Sequence, residues 1–373
     1  ASAVSKVLEM IILKEIYPFI RTCNNQFGFK SGHSTDMAVF VLKEMIDDGM
    51  KSGSPTHICF LDASKAFDRV NHQKLFQKLA QSGVSSRVCD VLKYWYGKQM
   101  FRIRWGSIFS EGFTVSHGVR QGGVLSPYLY AFYVDEISIT LNSTSYGCRI
   151  EGILLNHLFY ADDLCLFSYT RHGLQCLIDV LLPVAQRLDI IFNPSKSVCT
   201  IFRPQRLKDC VFSPIHIGSV DVLCKDSIRY LGVILNANGL DDEDIIRQRN
   251  CVLARGNAIA KSFRLCSVVV KKLLFSSFVV QMYGCTLWKR YRSKSLRRLR
   301  VAYNDIFRKL FGFSRRKHIS PRFVQMTLPT FESVMRKSLS SFLFRLVRSS
   351  NEIVSNISTF SRISSLFVRT ISF

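Results

Sequence analysis

Apolar and polar positions change period several times along the chain, and each change predicts an element. Residues 57–62 (HICFLD) are a short apolar run closed by an acid, which reads as a buried strand. NHQKLFQKLAQS (71–82) reads as a helix with Asn71 as N-cap and Gly83 as its stop, and a second helix is expected over 86–97. FRIRWGSIFSEGFTV (101–115) alternates around Gly106 and Gly112 and predicts a β-hairpin. A glycine turn from Gly118 to Gly123 follows. Ser126 and Pro127 then supply an N-cap and first position for a helix carrying Leu129, Phe132, Tyr133, Ile137 and Leu141 on one side. HLFYADDLCLF (157–167) sets two apolar arms around two aspartates, a hairpin with an acidic tip. A long amphipathic helix is expected over about 171–188, a strand near 197–202, and another extended segment at SIRYLGVIL (227–235). Beyond residue 240 the strand signal fades and helices dominate. The acidic string Asp241, Asp242, Glu243 and Asp244 is read as a helix start, where acids favour the dipole, because consecutive residues cannot all face one ion.

The pattern therefore describes a mixed α/β body followed by an all-helical lobe, with no internal repeat. At 373 residues the chain has room for two or three lobes, and 47% apolar against 21% charged residues excludes a disordered tail. No apolar run approaches eighteen residues, so no membrane partner is expected. The chain opens at Ala1 with no signal-like segment and reads as a fragment. Its 12 cysteines are scattered singly, which argues against a zinc site or a disulfide framework and for reduced thiols in an intracellular compartment.

Charge changes the picture more than composition does. Residues 251–373 hold 24 Lys/Arg against three acids, a net of +21, while residues 1–250 hold 27 against 24, a net of +3. Nucleic acid is the partner such asymmetry points to first; a solvated basic surface and anionic lipid are the bland alternatives. Within SLRRLRVAYNDIFRKLFGF (295–313), Leu296, Leu299, Val301 or Ala302, Ile306 and Leu310 recur at helical spacing. Arg297, Arg298, Arg300, Arg308 and Lys309 lie between them. That is a packed helix with a basic outer face.

Chemistry on phosphates needs carboxylates on rigid backbone, since Mg²⁺ takes hard oxygen ligands and keeps positions open for substrate. Asp162 and Asp163 at a hairpin tip meet that need, and Asp62 ends the apolar strand at 57–62. The three could hold two ions ~4 Å apart. Asp68, past the strand end, reads instead as a helix cap or structural ion pair, and His33 and His117 lack a second ligand at metal spacing.

Six segments in order resemble the reverse transcriptase of a non-LTR (LINE-like) retrotransposon. NNQFGFKSGHST (24–35) is similar to the late fingers motif, and FLDASKAFDRV (60–70), GVRQGGVLSP (118–127) and YADD (160–163) to the first three palm motifs. FNPSKSV (192–198) is similar to the fourth, and YLGVIL (230–235) to the primer grip. The resemblance implies an α+β, right-hand polymerase fold: partial fingers over 1–56, then a ferredoxin-like palm over 57–240, an antiparallel sheet plus helices with a fingers-like insertion at about 84–117. An all-helical basic thumb over 241–373 would follow. Only residues 1–23 precede the first motif, so most of the fingers and any endonuclease domain are expected to be missing.

Roles follow from the resemblance, position by position. Asp62, Asp162 and Asp163 would bind two Mg²⁺ ions, Mn²⁺ being the alternative, with the backbone at Ala63 near enough to help. Phe67 would sit under the incoming sugar and exclude a 2′-hydroxyl, its alternative being an ordinary core ring. Gln121, Gly122 and Gly123 would shape the nucleotide pocket. Lys196 would protonate or stabilise the leaving pyrophosphate, or else is simply solvated. Tyr230, Leu231 and Gly232 would hold the primer end, or form a plain hairpin. Lys30 stands where the family more often has Arg, which keeps charge but loses bidentate geometry. Tyr283, Trp288 and Tyr291 are read as thumb core ahead of base-stacking groups. The implied partners are an RNA template, a DNA primer, dNTPs, element RNA and target DNA, in the nucleus or a cytoplasmic ribonucleoprotein. A catalytically inactive binding remnant and a group II intron-type maturase remain as alternatives.

Overall fold

In the computed structural model, which describes residues 3–150, 152–207, 213–314 and 318–360, the predicted strand is Thr56–Leu61. It lies at the centre of a five-stranded sheet. The strand order is Leu223–Cys224, Val198–Phe202, Thr56–Leu61, Asp163–Ser168, His157–Tyr160. Thr56–Leu61 runs antiparallel to Asp163–Ser168, in register from His57 opposite Ser168 to Leu61 opposite Leu164. The edge departs from the antiparallel expectation: Val198 and Cys199 pair in parallel with Leu223 and Cys224. Between those strands the chain makes a small hairpin of its own, His216–Ile217 with Val220–Asp221, which lets it re-enter in the same direction.

The chain divides into two compact units. One is built from Ala1–Ser34, Thr56–Cys199 and Asp209–Cys224, the other from Thr35–Pro55, Thr200–Lys208 and Lys225–Phe373. Residues 35–55, expected within a fingers segment over 1–56, thus pack with the C-terminal part of the chain.

In the first unit the predicted helices fall where the polar pattern put them, and Ala3–Ile16 is a further helix that it did not predict. His72–Gln81 is capped by Asn71 Oδ1, which accepts from the Lys74 amide at 3.2 Å, and it stops at Gly83, whose φ of +94° needs no Cβ. Ser86–Gly97 and Arg171–Arg187 follow the expected bounds. The hairpin at 100–114 forms as two nested pairs, Met100–Phe101 with Phe113–Thr114 and Arg104–Trp105 with Ile108–Phe109.

One cap is corrected. Ser126 is the first residue of the helix Ser126–Asn142, and its side chain caps nothing. The buried carboxylate of Glu9 accepts from the amides of Val124 and Leu125 instead, the latter at 3.1 Å. An acid supplied by the helix Ala3–Ile16 therefore satisfies the orphan donors. Ser126–Asn142 is also buried on more than one side: Tyr130, Ala131, Val134 and Asp135 join the predicted stripe. It packs under the sheet with Leu129, Tyr133, Ile137, Leu164, Leu166, Leu174, Leu177 and Ile178 in a single core.

Among the described residues the second unit is mainly helical, with the hairpin Ser227–Tyr230 and Val233–Asn236 and the end of the strand Val198–Phe202. Asp242–Ser262 packs along Ser293–Phe311. The two approach so closely that a Cβ on Gly256 would lie 2.3 Å from Ile306 Cγ2. Leu299, Ala302, Tyr303, Ile306, Phe307 and Leu310 face inward, while Val301 is exposed, which settles the Val301-or-Ala302 choice. Gly312 ends this helix in the left-handed region.

The acidic string at 241–244 does begin a helix, yet its acids do more than face a dipole. Asp241 pairs with Lys43 and accepts from the Lys289 and Arg290 amides. Asp244, with no exposed surface, accepts from Trp288 Nε1 and Arg247 Nε, both at 2.7 Å, and from the Ile234 amide at 2.9 Å. Among the described residues the cysteines are unbridged, and no helix is long and apolar enough to cross a membrane.

Candidate active site

The strand Thr56–Leu61 is buried apart from the partly exposed Phe60, and its polarity changes at Asp62, whose side chain is 45% exposed. The register carries the next step: with Leu61 opposite Leu164, Asp62 falls beside Asp163 on the neighbouring strand. Asp163 is itself paired with Tyr160 across the hairpin, so Ala161 and Asp162 form a two-residue turn between the arms. Ala161 has φ +60°, a left-handed conformation uncommon for a residue with a Cβ. The sequence's strand end and acidic tip thus meet at one end of the sheet.

Their charges feel one another. Partial desolvation, followed by the fields of Asp162 and then Asp62, raises Asp163 above the ordinary carboxylate range. Burial, and the same Asp162 and Asp163 charges, push the Tyr130 hydroxyl strongly up, so it stays neutral. Among the described residues no group of three or more His, Cys, Asp or Glu side chains is preassembled as a metal cage. The donor set still suits Mg²⁺, which is commonly held by one or two carboxylates and completed by water and substrate phosphate.

FNPSKSV is stitched to the same strand end. Asn193 donates its amide to the Asp62 carbonyl at 2.9 Å, and Ser197 Oγ accepts from the Asp62 amide at 3.3 Å while donating to the Asn193 carbonyl at 2.8 Å. Ala63 bridges Phe192 in antiparallel fashion. Lys196 on this loop is 66% exposed, its Nζ 3.9 Å from Asp62 Oδ2, a loose solvent-screened pair.

Phe67 lies in the one-turn helix Ala66–Arg69 and is half-buried. Its ring stacks on Tyr130 and meets Phe29 edge-on. Asp68 makes neither of its expected contacts: Asn71 caps the following helix, and Asp68 Oδ1 accepts from Gln121 Nε2 at 3.3 Å. Gln121 and Gly122 are exposed, and Gly122 adopts φ +78° with open space where a Cβ would stand. Gly123 is needed for packing, since a Cβ there would come within 2.9 Å of Glu9 and 2.8 Å of Ser126.

Lys30 is turned to structural use. Its ammonium donates to the Thr22 and Cys23 carbonyls at 3.1 and 2.6 Å, and burial lowers its pKa. His33 and His117 make local hydrogen bonds, His33 to the Ser31 carbonyl and His117 to Ser116 and Asn71. The residues that sequence reasoning missed are Gln26, Tyr130, Asn193 and Ser197. Of these, Gln26 carried a signal in lying inside NNQFGFKSGHST, and Asn193 and Ser197 in lying inside FNPSKSV beside Lys196.

In the second unit Tyr230, Leu231 and Gly232 form the hairpin turn, with Leu231 at φ +43° and Gly232 at +81°. Tyr283 holds that turn: its hydroxyl lies 2.7 Å from both the Leu231 carbonyl and Thr35 Oγ1. Its ring is close enough to Gly232 that a Cβ would meet it at 2.8 Å. Trp288 is core, as expected. Arg297, Arg298, Arg300 and Lys309 are exposed, and Arg308 is partly buried. Arg300 pairs with Glu332 at 2.7 Å and Arg308 with Asp305 at 3.1 Å. Arg297 and Arg298 line a groove of about 420 Å³ with Arg249. Residues 315–317 and 361–373 of the expected basic lobe lie outside the described residues.

The chain is similar to a known family and to several known proteins. The family model described as reverse transcriptase (RNA-dependent DNA polymerase) matches residues 1–235. The probable RNA-directed DNA polymerase of the Drosophila melanogaster transposon X-element is 27% identical over 371 residues, covering 95% of this chain and 39% of that protein. The Pol polyprotein of the D. melanogaster retrotransposable element R2DM is 30% identical over 189 residues, 49% of this chain and 18% of its own. The chain thus spans well under half the length of these relatives. Apo telomerase from Candida tropicalis superposes with a TM-score of 0.46 at 12% identity, covering 99% of this chain and 58% of that one.

Proposed function

The chain belongs to the reverse transcriptase (RNA-dependent DNA polymerase) family, and from that premise we propose that it is the RNA-directed DNA polymerase part of a non-LTR retrotransposon. It would extend a primer 3′-hydroxyl with dNTPs on an RNA template. The observation that carries this reading is the strand register that sets Asp62 beside Asp163, one step from the Ala161–Asp162 turn.

Asp62, Asp162 and Asp163 would hold Mg²⁺, or Mn²⁺ in its place. Bound there, two such ions would supply charge stabilisation to the attacking and leaving oxygens of an in-line displacement. The chain's own part is positioning. Asn193 and Ser197 fix the Asp62 peptide from both sides, so the carboxylate projects from a backbone with little freedom. Phe67, held by its stack on Tyr130, would present a ring where a 2′-hydroxyl would collide. Gln121 and the open Gly122 turn would border the nucleotide, and Lys196 is near enough to Asp62 to meet the negative charge that develops on pyrophosphate.

The sheet-bearing unit would serve as palm and the basic helical unit as thumb, with Tyr230 to Gly232 gripping the primer. Arg297, Arg298 and Lys309 would contact the phosphates of the template–primer duplex, a sequence-tolerant and salt-sensitive contact. In a whole element this chemistry would act on element RNA at nicked target DNA, in the nucleus or a cytoplasmic ribonucleoprotein.

The test is primer extension on an RNA template with dNTPs and Mg²⁺, comparing wild type with Asp162→Asn/Asp163→Asn. Extension that the double variant abolishes is the expected result. Salt-sensitive duplex binding without any extension would favour a binding-competent, inactive remnant.

A further inference from the structure

The turn that bears Asp162 is held by a residue far away in sequence. Residues 25–27 run along the outer arm of the acidic hairpin: Phe159 donates its amide to the Asn25 carbonyl at 2.9 Å, and Phe27 donates to the Phe159 carbonyl at 2.8 Å. This places the Gln26 side chain, 1% exposed, under the turn itself. Its Oε1 accepts from the Ala161 amide at 3.1 Å and from the Gly28 amide at 2.8 Å, while Nε2 donates to the Ala161 carbonyl at 3.4 Å. One carboxamide thus satisfies both backbone groups of the residue in the left-handed region.

We propose that Gln26 is a positioning residue for the aspartate pair, holding Ala161 at φ +60° and so fixing the direction in which Asp162 and Asp163 present their oxygens. This rests on the polymerase reading of the site. Two physical points carry it. A left-handed residue with a Cβ is strained and persists only where its surroundings impose it; here the imposing group is visible. And the carboxamide is required as such: a carboxylate could accept from the two amides but could not donate to the Ala161 carbonyl, and it would add a negative charge beside three aspartates. Gly28 completes the support, because a Cβ there would lie 2.3 Å from the Ala161 nitrogen. The segment NNQFGF therefore reaches the turn through an uncharged side chain that holds the Ala161 backbone.

The test uses the full chain as wild type, Gln26→Met, which is near-isosteric and forms none of the three bonds, and Asp162→Asn/Asp163→Asn. Two quantities are measured: amide hydrogen exchange across residues 158–164, and the Mn²⁺ concentration that half-saturates single-turnover primer extension. Gln26→Met should speed exchange at Ala161 and raise the Mn²⁺ requirement by roughly 10–100-fold, as loss of an outer-shell partner does. Duplex affinity and exchange in the helix Asp242–Ser262 should stay unchanged. Normal exchange at Ala161, or an unchanged Mn²⁺ requirement, overturns the assignment of Gln26. Accelerated exchange together with a wild type that extends no primer would overturn the polymerase reading, and with it the catalytic purpose of the anchor.

Discussion

The rings of Phe67 and Tyr130 lie face to face, centroids 4.6 Å apart and planes 14° from parallel. Phe29 meets Phe67 edge-on at 6.1 Å, so two aromatic neighbours fix one half-buried ring. The two roles weighed for Phe67, core ring and sugar filter, are therefore compatible: a ring must be immobilised to discriminate by shape.

Phe67→Val should show both roles at once. Removing a half-buried aromatic and its stack costs about 2 kcal/mol, below the roughly 3–5 kcal/mol typical of a fully buried Phe. The space vacated should also admit a 2′-hydroxyl, lowering the preference for dNTP over rNTP by roughly 10²-fold. Urea denaturation and paired dTTP and rUTP incorporation read the two separately. A stability loss with unchanged sugar preference would leave Phe67 as core alone.

Asp163 gives a pH-dependent prediction whose sign follows from its raised pKa. Its charged form is disfavoured in the folded chain, so the folded state binds the proton more tightly than the unfolded one. The resulting destabilisation is fully present above the folded-state pKa, and it fades as pH falls toward the unfolded value near 3.8. Asp163→Asn should therefore raise the melting temperature near neutral pH by a modest amount, on the order of 1–3 °C. The gain should shrink on acidification. Mg²⁺ should stabilise the wild type by the same relief of repulsion and stabilise the variant less, which thermal melts with and without the ion will check.

Much of this site was legible in the sequence because its parts are local. A strand end, an acidic hairpin tip and a capped helix each depend on neighbours a few residues away, and the period-2 and period-3.6 patterns fixed them. What the pattern concealed depends on contacts across the fold. Glu9 caps a helix more than a hundred residues onward, and nothing in the spacing of Ser126 and Pro127 reveals that their own cap is idle. Gln26 reads as an ordinary polar residue until the hairpin folds against it. Lys30 looks like a ligand-facing cation, yet the carbonyls of Thr22 and Cys23 claim it. A period describes which face is buried, not which buried polar group answers another.

Asp244 illustrates the stability side of the same point. It is fully buried and answers three donors, from Ile234, Arg247 and Trp288. Asp244→Ala would remove the buried acceptor shared by the Ile234 amide, Arg247 Nε and Trp288 Nε1, which should cost about 3–5 kcal/mol. Asp244→Asn keeps an acceptor and should cost less. Urea midpoints followed by circular dichroism distinguish the two, and equal, small losses would show that solvent replaces the network.

On the basic helix Ser293–Phe311 the arginines proposed to bind phosphate differ in their surroundings from those held in ion pairs. Arg297 and Arg298 are exposed beside Arg249 in an open groove, whereas Arg300 is paired with Glu332 and Arg308 with Asp305. Removing a side chain that neutralises one phosphate should reduce the slope of log affinity against log salt by about 0.9. Arg297→Ala/Arg298→Ala should thus lower the slope for duplex binding by about 2, with little change in melting temperature. Arg308→Ala should act the other way: its guanidinium is partly buried against Asp305, so its loss should fall mainly on stability, by about 1 kcal/mol, and leave the salt slope close to wild type. Fluorescence anisotropy on an RNA–DNA duplex across a salt series, with parallel melts, measures both. A salt slope that falls equally for all three arginines would mean that the pairs open on binding and that the whole helix face carries phosphate.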